Sequence, residues 1–239
     1  YMGNITARDI NSLGFKPDLV WLKNRDNASH SNQVFDSVRG ATKRLYSNAN
    51  NGQDTDAQVL TAFNSDGFSI GTNIGINGDE EAHVAWAWKA GGEPSADGKK
   101  KVDGVESDLS TPNQTSAIKQ SVNTAGGFSI TTFTGDGSGD KAIPHGLGAI
   151  PDLVVIKRTN ASYNWPVWSK HKNSGAVGAS EYLLLNKNDK RGHAGGSPNA
   201  TEHFEAVSSS AVTLKATAEA VENDGEYVVY CWKSVSGVS

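Results

Sequence analysis

Cysteine is almost missing from this chain. Cys231 is the single one among 239 residues, so no intramolecular disulfide can form and a disulfide-stapled secreted module is excluded. No apolar run approaches the roughly 20 residues that a membrane-crossing helix needs, and nothing at the start reads as a signal peptide. A dominant charge is lacking as well: the net charge is −4, with 20% charged residues. That argues against a nucleic-acid partner, which demands clustered Lys and Arg to displace counterions from phosphate. The short basic run Lys99-Lys100-Lys101 reads as a solvated turn or linker. Prolines number only seven, and helical periodicity is nearly absent.

What is present is glycine, at 26 residues, well above the usual ~7%. Asn, Ser, Thr, Gly and Asp fill the spaces between short apolar runs, as turns between strands do. The composition predicts an all-β chain. Within it one phrase recurs: "LGFKPDLVWLK" from Leu13 and "LGAIPDLVVIK" from Leu147 agree at seven of eleven positions. Two further pairs keep the same order, "GATKRLYSNAN" from Gly40 with "GASEYLLLNKN" from Gly178, and "HVAWAWK" from His83 with "YVVYCWK" from Tyr227. The spacing between partners grows along the chain, so the second copy carries insertions. Surface loops tolerate these and packed strands do not, which makes the blocks strands and the gaps loops.

The expected organisation is therefore two tandem homologous antiparallel β-sandwich-like domains. Residues 1–92 form the first, residues 93–125 a polar connector able to add edge strands, and residues 126–239 the second. In the second copy "GFSITTF" at Gly127–Phe133 precedes the part that matches Tyr1 onwards. The first copy is thus expected to lack its leading strand, as a fragment of a longer polypeptide would. In "PDLVWLK" Leu19 and Trp21 fall on one face and Val20 and Leu22 on the other, the mark of a strand covered on both sides. "HVAWAWK" sets Val84, Trp86 and Trp88 opposite Ala85 and Ala87, whose small side chains would let another strand or the neighbouring copy approach.

The blocks "GFKPDLVWLKNR", "FDSVRGATKRL", "DGFSIG" and "VAWAWKAGG", in this order, together resemble an uncharacterised repeat domain of marine bacteriophage virion proteins. Those are long tail-fibre or tail-associated chains that often carry SPRY-like or laminin-G-like modules. The resemblance implies location in the virion and a structural role in a tail fibre or host-facing appendage, contributing to multivalent host attachment. A purely architectural fibre or capsid-decoration module without a ligand is the alternative, and a carbohydrate-active enzyme a more remote one. It further implies association with other virion proteins and with copies of the chain itself, a trimer being common for phage fibres. It supplies no catalytic residue.

The residues themselves offer little chemistry. A glycosidase needs two carboxyl groups at a fixed separation, and nothing in the spacing of Asp79, Glu80 and Glu81, or of Glu202 and Glu205, selects a pair. There is no G-x-S-x-G elbow, and the six histidines lack metal-ligand spacing. "TGDGSGD" at Thr134–Asp140 alternates acids but lacks the terminal Glu of a calcium loop; His145 in "IPHGLG" reads as turn chemistry. No enzyme, cofactor, metal or membrane insertion is expected. The best candidate for contact with a host-surface glycan is the aromatic group Tyr163, Trp165 and Trp168, because sugar faces stack on such rings. Of these, Trp165 is expected to be the exposed one.

Overall fold

A computed structural model describes residues 1–109, 119–171, 182–188, 203–216 and 220–237. Strands dominate it. The first half contains β1 (Arg8–Ile10), β2 (Leu19–Asn24), β3 (Gln33–Asp36), β4 (Lys43–Tyr46), β5 (Asp54–Thr55), β6 (Leu60–Asn64), β7 (Gly67–Ile70), the one-turn helix α1 (Ile74–Asn77) and β8 (His83–Trp88). Then follow β9 (Lys99–Val102), β10 (Val105–Asp108) and β11 (Lys119–Asn123). The second half contains β12 (Phe128–Thr134), β13 (Lys141–Pro144), β14 (Leu153–Arg158), β15 (Pro166–Ser169), β16 (Leu183–Leu184), β17 (Phe204–Val207), β18 (Ala211–Leu214) and β19 (Glu226–Trp232).

Four sheets result. The first half builds a three-stranded sheet β1-β7-β6 and a five-stranded sheet β5-β4-β3-β2-β8; the second builds β13-β18-β17 and an eight-stranded sheet β10-β9-β11-β12-β19-β14-β15-β16. The repeated phrases land on strands with the same neighbours: β4-β3-β2-β8 in one half and β16-β15-β14-β19 in the other. The segment between the halves extends the second half's sheet, with β9 running parallel to β11 and β10 turning back on β9. Residues 110–118 of the connector, and the start of the second-copy block at residues 178–181, lie outside the described residues.

Among the described residues three hydrophobic cores separate these layers. Val20, Leu22, Phe35, Leu60, Phe68 and Ile70 fill the first half's sandwich; Phe133, Val154, Ile156, Val212, Leu214 and Val229 fill the second's. The third core lies between the two larger sheets, where Leu19, Val34 and Leu45 meet Ile130, Val155 and Tyr230. The period of two along a strand thus sends Leu19 and Val20 into different cores, as the two-sided apolar run of β2 predicts. The two halves share this third core, so each larger sheet buries its second face against the other.

The alternation in β8 is the expected one, and its two faces take different neighbours. Ala85 packs toward the first half's own core, and the tryptophan face meets the second half: Trp88 lies 6.4 Å from Phe128 and 5.9 Å, edge-on, from Trp232. Large rings fill the gap between two sheets, whereas an alanine face suits the tight packing inside one small sandwich. Where β8 ends, the chain passes against β9 and β11 so closely that a Cβ on Gly91 would sit 2.1 Å from the Lys101 carbonyl oxygen. Only glycine fits there.

Candidate functional site

Trp165 and Trp168 do not form an exposed platform. Trp165 is 1% exposed and belongs to the core between the halves; its indole Nε1–H donates to the carbonyl oxygens of Tyr46 at 2.9 Å and Ala49 at 3.0 Å. Trp168, on β15, points the opposite way into the second half's own core. The three-residue spacing does put the rings on opposite faces, as expected, but in this stack both faces are interior. Neither indole has a face open to a sugar. Tyr163 is partly buried: its hydroxyl donates to Glu222 Oε2 at 3.0 Å, and the Arg158 guanidinium lies over its ring at 4.8 Å. Arg158 also pairs with Glu222. The three residues are therefore not one surface.

Beside Trp165 sits the least expected group. Lys157 is fully buried, with Nζ donating to the carbonyls of Asn50 at 3.2 Å, Ala161 at 3.4 Å and Tyr163 at 2.8 Å. Burial, and then the adjacent Arg158 charge, pushes its pKa down to about 7. A second buried polar knot crosses the same interface: Asp36 accepts from the Tyr230 hydroxyl at 2.6 Å and from Arg39 Nε at 2.5 Å. Arg39 Nη1 then reaches Gln53 at 2.8 Å. These side chains fix the register of the two halves, since each buried polar group finds its partner in one arrangement. A polar groove of about 310 Å³ runs alongside, lined by Arg39, Lys43 and Gln53 from one half and Thr132, Thr159 and Glu226 from the other.

Of the acids that the sequence left open, Asp79 and Glu80 are exposed. Glu81 accepts from Asn24 and Asn27, and Glu205 pairs with Lys215 at 2.7 Å; Glu202 lies outside the described residues. In "TGDGSGD" Asp136 pairs with Lys141, whose hydrogen bond helps hold the carboxyl down to about 2, and Asp140 binds the Ala216 N–H. His145 is buried, with Nδ1 accepting from the Leu147 N–H at 3.2 Å and Nε2 facing the Ser208 carbonyl at 3.1 Å. Turn chemistry is what it performs. Among the described residues no group of three His, Cys, Asp or Glu side chains is placed to hold a metal ion.

Two surface features went unnoticed in the sequence. One is a cleft of about 510 Å³ where Lys16, Lys89 and Lys101 surround the backbone of Gly91 and Gly92. The other is the outer margin of β8. This strand pairs with β2 on one side and ends the five-stranded sheet on the other. Trp86, at its middle, is 48% exposed and meets Trp21 edge-on at 6.4 Å. The lysines lie on separate segments, and the exposure of Trp86 depends on which strand borders β8. Neither is readable without the topology.

No curated protein and no solved structure matches this chain. A family model does match, described as a domain of unknown function (DUF7483), and since the match runs over residues 1–239 the chain belongs to that family.

Proposed function

We propose that the chain is a structural module of a bacteriophage virion, part of a tail fibre or another host-facing appendage, and that its work is architectural. The virion assignment rests on the resemblance of the four ordered blocks ending in "VAWAWKAGG" to virion repeat domains. The observation that favours architecture over adhesion is the burial of Trp165 and Trp168, which turns the best glycan candidates into packing residues. A core shared between two sandwiches suits an element that must hold its shape under load, because neither half can rotate without exposing apolar surface. Repeated copies of such a module, associated with one another and with other virion proteins, would make up the appendage.

Gold-labelled antibodies against the chain, applied to intact particles of a phage that encodes it, test the location. Labelling confined to one appendage is the expected result; antigen found only in the soluble part of the lysate would sink the assignment. Staining bacterial surfaces with the fluorescent chain tests the division of labour. Absence of saturable staining at micromolar chain fits the architectural reading, and saturable staining of particular envelope polysaccharides restores adhesion.

A further inference from the structure

We infer that the outer edge of β8 is a strand-acceptor site, and that its occupant is an extended segment with the chemistry of β12. The inference goes beyond the proposed location and stands or falls independently of it. Its basis is a difference between two equivalent positions in the same chain. In the second half β19 is bordered on both sides, by β14 and by β12. Among the described strands its counterpart β8 is bordered by β2 alone.

The beginning of the absent ladder is already formed. Tyr1 and His83 exchange two backbone hydrogen bonds, of 2.9 and 2.8 Å, and Met2 bridges Ala82. These are the equivalents of the rungs at Phe133–Tyr227 and Thr134–Glu226. The rings match too: Tyr1 stacks on His83 at 5.2 Å as Phe133 stacks on Tyr227 at 4.9 Å. Since His83 bonds outward, alternation along an antiparallel strand turns the N–H and C=O of Ala85 and Ala87 outward as well. Among the described residues nothing pairs with them. At the far end the Asn123 amide caps the Lys89 carbonyl at 3.1 Å, so the open stretch runs from Val84 to Trp88.

Side-chain exposure marks the same place. Tyr230, opposite Ile130 of β12, is 2% exposed; Trp86, at the equivalent point of β8, is 48% exposed. A strand along β8 would set an apolar residue against Trp86 as Ile130 is set against Tyr230. The occupant is thus specified: antiparallel to β8, with an aromatic or aliphatic residue on the Trp86 face and backbone groups free to pair with Ala85 and Ala87. Adding such a strand to a sheet edge is an established way for main-chain hydrogen bonds to supply affinity.

The probe is the synthetic peptide GFSITT, copied from Gly127–Thr132, added to the whole chain. Hydrogen exchange followed by mass spectrometry is expected to show the Ala85 and Ala87 amides slowed about tenfold or more at saturation. N-methylating the peptide at its Ser129 and Thr131 positions, whose N–H groups would face β8, should abolish that protection. N-methylation at the Ile130 position, which faces away, should leave it. Ala87→Pro removes one outward N–H and should weaken binding at least about tenfold; the modified peptides keep the test valid if that variant folds poorly. The same sequence joined directly ahead of Tyr1 should raise Tm by about 5 °C or more. Protection by the Ser129/Thr131-methylated peptide, or no protection by either peptide or fusion, overturns the inference. So does a free chain that sediments as a dimer with Ala85 and Ala87 already protected, because a second copy would then be the occupant.

Discussion

Replacing Trp165 with alanine tests whether the core between the halves holds the molecule together. Trp165 is buried there and donates its indole N–H to Tyr46 and Ala49 of the other half. Truncating a buried tryptophan costs about 3–5 kcal/mol, and the lost hydrogen bond adds about 1 kcal/mol. A chain of this size loses about 2–4 °C of Tm per kcal/mol, so Trp165→Ala should melt on the order of 10–20 °C below the parent. Trp165→Phe keeps most of the apolar contact and should fall only a few degrees. The assay is thermal unfolding by circular dichroism alongside calorimetry. Because the core is shared, the parent should unfold in one transition. A Trp165→Ala variant that melts within about 2 °C of the parent would refute the reasoning, as would two separate transitions in the parent.

Three further outcomes are expected. Lys157 releases its proton in the folded chain at about 7, whereas in the unfolded chain it holds it up to its ordinary value of 10.5. The unfolded state therefore binds more protons between those values, and Lys157 makes stability rise with pH across that window; in Lys157→Met, urea titrations from pH 6 to 9 should lose that rise, and an unchanged slope would show that another group produces it. Asp36→Asn leaves the buried Arg39 charge without its partner and should cost about 3–5 kcal/mol, against about 1 kcal/mol for Tyr230→Phe; equal losses in chemical denaturation would contradict the Asp36–Arg39 pair as the centre of the knot. Cys231 is buried with its thiol pushed up to about 12, so Ellman's reagent should react with it only after denaturant is added, and fast reaction of the folded chain would show the strand to be open.

The strands were legible because their signal is local. Pro17 followed by apolar residues on both faces announces β2, and the recurrence of "PDLV" marks β14 as its match. The faces were harder. Nothing in "HVAWAWK" says whether the tryptophans or the alanines meet the second half; that depends on how far apart the two sheets stand. Trp165 was misjudged for the same reason. Its block has no clear aromatic partner in the first half, which reads as exposure when the halves are imagined apart. Packed together, the unmatched ring fills their shared interior. Lys157 was invisible because the carbonyls that receive its ammonium come from Asn50, Ala161 and Tyr163, brought together only by the fold.

The meeting of Trp88 and Trp232 has a consequence for how the molecule responds to dilution. These residues end equivalent strands, and they touch each other, as two subunits touch across a symmetric dimer interface. Here both belong to one polypeptide. Their encounter is intramolecular, so the partner's effective concentration is set by the tether and not by the amount of protein in solution. A noncovalent pair would come apart at low concentration and melt earlier there; this pairing should survive at any concentration. A tethered pair is also free to become unequal: among the described strands β19 is bordered on both sides and β8 by β2 alone, an asymmetry closed to identical subunits in a symmetric dimer.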